Sequence, residues 1–330
     1  MLPVRILGTG KYLPKILITA DQLDEKVGFP IGTTLRVSGV ETRHFIEEET
    51  ASMMGAAAAK EALTNANLTI QDIDCIICSS GTHEQAMPAT AALISEQFGV
   101  LARGIPSFDV NSTCLSFLTG LDLLSYAIQQ GRYRNVLIVA SEISSVGLDW
   151  KDKESCTLFG DGAAAAIISK SNDHESSKII TANMETYSEG AHFTEIPGGG
   201  TRFHPRHYLD EDGRPHLFRM HGRNVYKLSI KILPDFVQQL FEAANMSMND
   251  IKLVIPHQAS VSALRLIAKH LDIPEEKLLI TVKKYGNTVA ASIPLALHDA
   301  ITQKQIVRGD KILLVGTAAG LTVGGMIIEY

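Results

Sequence analysis

Apolar residues fall into two kinds of run that alternate along the chain. The short unbroken ones, Cys75-Ile-Ile-Cys78, Ser107-Phe-Asp-Val110 and Val136-Leu-Ile-Val-Ala140, have the length and side-chain type of buried strands. Between them, Pro88 to Phe98 and Cys114 to Gln130 place apolar positions at helical spacing. Strand and helix in alternation predict an α/β protein built on buried sheets.

The pattern also repeats. Ala66-Asn-Leu-Thr-Ile-Gln-Asp-Ile-Asp-Cys-Ile-Ile77 aligns without a gap to Ala244-Asn-Met-Ser-Met-Asn-Asp-Ile-Lys-Leu-Val-Ile255. Each copy reads as a helix end, a connection and a buried strand. Further on, Ala127-Ile-Gln-Gln130 and Leu137-Ile-Val139 resemble Ala300-Ile-Thr-Gln303 and Leu313-Leu-Val315, with a short insertion in the later copy. An internal duplication is predicted, with halves at 1–171 and 172–330 and no linker-like segment between them. Registered on Ala127 and Ala300, it sets Cys114 opposite Asn287, each opening a helix near a pseudo-twofold axis.

Composition narrows the field. The 330 residues are 45% hydrophobic and 20% charged, enough apolar mass for one large or two medium cores and unlike disorder, collagen or coiled coil. A net charge of -6 gives no electrostatic reason to seek nucleic acid or anionic lipid. The N-terminus meets Gly8 and Lys11 too early for a signal peptide, and no apolar run reaches the roughly 18 residues of a membrane span. A soluble, cytoplasmic protein is expected.

Four cysteines are too few for a disulfide framework and are read singly. Cys75 and Cys78 fall on opposite faces of a predicted strand, so they cannot share a metal. The irregular stretch 186–220 holds Gly198-Gly-Gly200 with His192, His204, His207 and His216. His204-Pro-Arg-His207 has neither helical spacing nor a completing ligand pair, so no metal is expected there. The stretch is expected to serve as a lid or wall beside a site.

Three residues carry candidate chemistry. Cys114, in the first turn of a helix, sits at the positive end of the macrodipole, which favours thiolate. His257 follows a buried strand and Pro256, where the chain leaves the sheet and side chains face a cleft. Asn287 brings an amide donor, or a simple N-cap, to the duplicated helix start. Cys, His and Asn around one cleft suit thioester chemistry.

Asp109-Val-Asn-Ser-Thr-Cys114, Phe159-Gly-Asp-Gly162, Ile255-Pro-His-Gln-Ala259, Tyr285-Gly-Asn-Thr-Val-Ala-Ala-Ser-Ile-Pro294 and Gly316-Thr-Ala-Ala-Gly-Leu-Thr-Val-Gly-Gly325 resemble, in order and spacing, the ketoacyl-[acyl-carrier-protein] synthase III family of the thiolase superfamily. The likeness runs from about residue 4 to residue 330. It implies an internally duplicated five-layer α-β-α-β-α fold. It also implies an acyltransferase that condenses an acyl-CoA or acyl-carrier-protein thioester with a malonyl thioester, through an acyl-Cys114 intermediate and with loss of CO₂. In that scheme the backbone N–H groups of Cys114 and Ala319 hold the oxyanion, and His257 and Asn287 donate to the malonyl-derived enolate. No metal and no cofactor beyond the thioester substrates is implied. A homodimer is, with Met87 reaching the neighbouring subunit's acyl pocket.

The resemblance assigns contacts with CoA or the carrier protein to Lys153 and to Gln258, Ala259, Ser260, Val261, Ser262 and Arg265. Thr33 and Val37 stand where an adenine-clamping Trp and Arg are common, and Ser262 where an Arg is common. Ser116 replaces a frequent Gly without an evident functional reason. Two altered reactions remain alternatives, acyl transfer to an oxygen or nitrogen nucleophile and head-to-head condensation of two acyl chains. Relatives of the second kind carry a Glu where Met87 stands; here Glu84 lies three residues away.

Overall fold

The unbroken apolar runs pair into two sheets in the structure, a computed structural model that describes residues 1–204 and 214–330. The first sheet has the order Val4–Tyr12, Gly162–Lys170, Asn135–Glu142, Cys75–Cys78, Ser107–Asp109. Its last three strands run parallel and the others join antiparallel. The second sheet has the order Leu253–Pro256, Lys311–Ala318, Thr322–Glu329, Lys178–Thr186, with only the first pair parallel. Where Ile76 pairs with Ser107 in the first sheet, Val254 makes a lone bridge to Leu278 in the second.

Alternating side chains divide each sheet between two cores. Cys75, Ile77, Val136 and Ile138 from the first sheet and Ile255, Ile312, Leu314 and Met326 from the second share one core with Leu121 and Ile128 of helix Ser116–Gln129 and Ile293 and Leu297 of helix Ser292–Thr302. Ile76, Cys78, Leu137 and Val139 face outward, onto helices Ala51–Ala66 and Thr90–Glu96. Val254, Leu313, Val315 and Ile327 face the opposite way, onto helices Gly222–Ala244 and Val261–His270. The result is the five-layer α-β-α-β-α arrangement, with Cys75 and Cys78 on opposite faces of their strand as predicted. Each fully buried Leu or Ile of the central layer contributes roughly 1.5–3 kcal/mol.

The repeated block owes its sequence to three local devices. Asn67 and Asn245 end their helices in the left-handed conformation (φ 53° and 52°), which Asn tolerates better than most residues. Thr69 with Asp72, and Ser247 with Asp250, then form reciprocal capping boxes around a single 3-10 turn. A buried strand follows in both copies.

The register expected for Cys114 needs correction. Thr113–Leu115 and Val289–Ala291 are equivalent 3-10 turns, each leading into a central helix that begins with Ser. Ala290, not Asn287, is therefore the counterpart of Cys114, and Asn287 corresponds to Asn111. The helix of the second half has 11 residues against 14, so a register taken at the helix ends is displaced by that difference at the helix starts.

Candidate active site

Cys114 occupies the turn Thr113–Leu115, whose first residue has φ 50°. The backbone N–H groups of Cys114 and Ala319 are directed at its sulfur, and the Thr113 hydroxyl donates to the Ala319 carbonyl at 3.3 Å. The expectation of a resting thiolate is nevertheless not met. Burial, reinforced by the Glu142 carboxylate, pushes the thiol up to about 12 against those N–H donors. One short turn at a helix start does not outweigh desolvation of an anion.

His257 follows the strand Leu253–Pro256 and is 6% exposed. Its Nδ1 lies 2.7 Å from Ser292 Oγ. That hydroxyl also accepts from the Gln258 N–H at 3.3 Å; when its own hydrogen is donated to Nδ1, the imidazole proton sits on Nε2. Burial pushes the imidazole down to about 4, so His257 is neutral at physiological pH. Asn287 is buried, and its Oδ1 accepts from the Val289 N–H at 2.9 Å. Its Nδ2 is thereby aimed away from its own turn.

Two glycines draw these elements together. A Cβ on Gly316 would lie 2.6 Å from His257 Cβ and 3.3 Å from Leu115 Cδ2; one on Gly81 would lie 2.9 Å from Val289 Cγ1 and 3.3 Å from Thr113 Cα. Thr113, Val289 and Leu321, none of them Gly, hold φ of 50°, 49° and 48°. They adjoin Cys114, Asn287 and Ala319 in turn. Such backbone costs roughly 1–2 kcal/mol per residue and concentrates at functional sites.

Two buried residues escaped the sequence reading. Ser292, which orients His257, lies within the Tyr285–Pro294 motif without marking itself out. Glu142 ends the strand Asn135–Glu142, whose middle, Val136 to Ala140, is apolar. Its carboxylate accepts from Gly81 N (2.6 Å), Thr82 N (2.9 Å) and Thr82 Oγ1 (2.6 Å), and also from the Ala290 N–H. Burial still pushes it up to about 7. A lone carboxylate closing a strand of that kind was the available signal. Ser116 now has a structural reason, since its hydroxyl accepts from Ser112 N–H and donates to the Thr113 carbonyl, closing the turn that carries Cys114.

The substrate-contact set divides. Gln258 is buried, with Nε2 on the carbonyls of Pro256 and Leu279 and Oε1 on the N–H groups of Thr281 and Val282. Its amide is fully committed to backbone and has no capacity left for a ligand. Val261 packs with Val40, Leu264 and Val282. Both side chains are thus committed to the fold. Ala259 and Ser260 are part-buried, and Ser260 Oγ caps helix Val261–His270 through Ala263 N–H. Ser262, Arg265 and Lys153 are exposed, Lys153 with its ammonium 5.0 Å from the Phe29 ring centre. Thr33 is buried and bonded to the Pro30 carbonyl, whereas Val37 is exposed. Met87 is 85% exposed.

The stretch 186–220 closes on itself through a short ribbon, Thr194–Glu195 with Arg219–Met220. Its Phe218 ring packs edge-on against Phe159, centres 4.9 Å apart, and Phe159 pairs with Asn287. His207 lies outside the described residues. Among the described residues no group of three His, Cys, Asp or Glu is arranged to hold a metal ion, and no helix is long and apolar enough to cross a membrane.

Comparison with known proteins gives a consistent result. Residues 108–188 match the family model of 3-oxoacyl-[acyl-carrier-protein (ACP)] synthase III, and residues 241–330 match that of its C-terminal part. A β-ketoacyl-[acyl-carrier-protein] synthase III of Aquifex aeolicus is 36% identical over 326 residues, covering 99% of each chain. The crystal structure of a 3-oxoacyl-[acyl-carrier-protein] synthase III from Aquifex aeolicus superposes with a TM-score of 0.88 at 34% identity, over 99% of this chain and 100% of that one. The priming β-ketosynthase of a polyketide biosynthetic pathway superposes at 0.89 with 25% identity, over 98% of this chain and 95% of that one.

Proposed function

Because the chain belongs to the β-ketoacyl-[acyl-carrier-protein] synthase III family, we propose that it catalyses decarboxylative condensation of an acyl thioester with a malonyl thioester, giving a 3-ketoacyl product. The observation that carries this reading is the sulfur of Cys114 set against the N–H groups of Cys114 and Ala319, with two neutral donors, His257 and Asn287, on adjoining turns. The half 1–171 brings Cys114, and the half 172–330 brings His257, Asn287 and Ala319.

In the first half-reaction Cys114 sulfur attacks the acyl carbonyl, and the two backbone N–H groups receive the developing oxyanion. The leaving CoA or carrier thiolate departs with the proton that Cys114 gives up, leaving acyl-Cys114. The resting thiol suits this sequence, because no buried anion has to be maintained between turnovers. In the second half-reaction the malonyl thioester loses CO₂, and the enolate oxygen accepts from His257 Nε2 and Asn287 Nδ2. A neutral imidazole fits this task, since it donates without tending to protonate the carbanion. The enolate carbon attacks acyl-Cys114 and expels the cysteine thiolate, which takes up a proton. Thioesters supply all the activation, so the scheme needs no metal or further cofactor.

Substrate contacts fall to Lys153, Ser262 and Arg265 at the surface, with Ala259 and Ser260 behind them. A homodimer, placed in the cytoplasm, fits the free edge of the first sheet at Ser107–Asp109, its exposed Phe108, and the exposed Met87. Met87 then lines the partner's acyl pocket, where its slim, flexible side chain admits longer or branched acyl groups than Phe would. Head-to-head condensation is not favoured, because the Glu84 carboxylate is engaged by the Ser52 N–H at 2.7 Å, at the start of a helix.

Intact-protein mass after exposure to a panel of acyl-CoAs and acyl carrier proteins tests the reading. An adduct that requires Cys114, and that malonyl thioester discharges with release of a 3-ketoacyl product, is the expected result. An adduct discharged only by an alcohol, an amine or a second acyl chain would replace condensation with another acyl transfer.

A further inference from the structure

Arg43 is fully buried in the strand Thr42–Phe45, which pairs antiparallel with Ile16–Thr19 in a two-stranded ribbon. Among the described residues no carboxylate bonds it. Its Nη1 donates to the carbonyls of Thr157 (2.7 Å) and Phe159 (3.2 Å), while Nε and Nη2 have no partner among the described residues. Burial lowers the guanidinium to about 10, opposed by Cys156 and by Asp24, whose own carboxylate is bonded to Thr34. The group therefore stays charged at neutral pH. A buried cation held this way costs several kcal/mol, and an apolar side chain of similar volume commonly serves stability as well or better. Stability alone is a poor reason for it.

Its place in the fold offers another. The segment 157–160 is held from two sides. Arg43 takes the Thr157 and Phe159 carbonyls on one edge. On the other edge Asn287 N–H donates to the Leu158 carbonyl at 2.9 Å, and the Asn287 carbonyl accepts from Gly160 N–H at 3.2 Å. The seam leaves no slack: a Cβ on Gly160 would collide with the Tyr285 carbonyl oxygen, and one on Gly286 would lie 2.9 Å from the Leu158 oxygen. The chain entering the same strand also grips the approach to Asn287 directly, through Glu41 N–H to the Lys283 carbonyl (2.8 Å) and Thr42 Oγ1 to the Lys284 carbonyl (2.9 Å).

We propose that Arg43 is a positioning residue for Asn287, acting through the 157–160 segment to fix where the amide Nδ2 points during enolate formation. The inference rests on the reading of Asn287 as an enolate donor. Cys114 and Ala319 are held by other elements, so Arg43 governs one half-reaction and not the other.

The experiment compares Arg43→Met and Arg43→Lys with wild type and Asn287→Ala, measuring the rate of Cys114 acylation by an acyl thioester separately from the rate of malonyl thioester decarboxylation. A misplacement of the order of 1 Å costs about 10²-fold, so Arg43→Met is expected to lose about that much decarboxylation while acylating within a few-fold of wild type. Arg43→Lys, able to reach a carbonyl with a single ammonium, should fall between the two. Gly160→Ala, whose Cβ would press on the Tyr285 carbonyl and lie 3.2 Å from Arg43 Cβ, disturbs the seam while keeping the guanidinium and should reproduce the same split. Equal losses in both half-reactions, or none in either, in whichever of these variants folds would overturn the proposal. Failure of wild type to acylate or decarboxylate, or an Asn287→Ala variant that decarboxylates normally, would instead remove the reading on which it rests.

Discussion

The turns Thr113–Leu115 and Val289–Ala291 share one backbone and hold opposite chemistry. Both begin on a left-handed, β-branched residue, both are capped from two residues upstream by an Asn Oδ1 (Asn111 to Thr113 N–H, 2.8 Å; Asn287 to Val289 N–H, 2.9 Å), and both lead into a helix that starts with Ser. In the first turn the thiol of Cys114 meets the N–H of Ala319; in the second the N–H of Ala290 meets the carboxylate of Glu142. Each turn thus faces the end of a strand from the other half. The duplicated backbone provides an anion-ready helix start twice, and the residue offered across the interface decides its use. One start meets a thiol, and the other is already occupied by a carboxylate.

The largest effect comes from making the two starts alike. Cys114→Ala gives the first turn the side chain of the second, and condensation should fall by at least about 10³-fold with no acyl adduct in the mass spectrum and little change in melting temperature. Retained turnover would mean that the nucleophile lies elsewhere.

Removing the occupant of the second start comes next. Glu142→Gln puts an amide N–H among backbone donors, a loss of about 2 kcal/mol. Because Glu142 is raised from 4.5 to about 7 in the folded protein, its contribution is fully present below pH 4.5 and is lost as pH rises through 7. Urea unfolding at pH 5 and pH 8 should therefore show a wider gap between wild type and variant at the lower pH. A gap that widens with pH would contradict the assignment of the buried proton.

The helix-opening serines give the smaller effects. Ser292→Ala frees His257 Nδ1 and should slow malonyl decarboxylation about 10-fold while sparing acylation. Ser116→Ala removes a turn-closing hydroxyl and should cost about 1 kcal/mol of stability, read from denaturant unfolding, with both half-reactions intact. If Ser116→Ala slows decarboxylation as much as Ser292→Ala, the two starts are not functionally distinct.

How much of this was legible follows from the range over which each signal acts. The repeat Ala66–Ile77 with Ala244–Ile255 was readable because left-handed Asn, capping boxes and buried strands are local and residue-specific. The duplication register at Cys114 was not, since the second central helix is shorter and only contacts across the halves reveal which residues correspond. Cys114, His257 and Asn287 stood out by motif. The state of the thiol did not, because desolvation depends on neighbours such as Glu142, which is remote in sequence. Gln258 shows the same limit: the four backbone groups that enclose its amide come from Pro256 and from the stretch 279–282, more than twenty residues on. Arg43 and Ser292 act on residues far along the chain, and no window of local sequence contains both partners.

The left-handed conformations of Thr113, Val289 and Leu321 also bear on how the protein responds to heat. Their conformational cost is met once, when the chain folds, so the oxyanion donors and the Asn287 amide need no rearrangement at each turnover. Three strained turns in one place also make that place the easiest to relax on warming, while the cores on either side remain packed. Heat inactivation should accordingly precede melting, with catalysis fading at temperatures where both sheets are still intact.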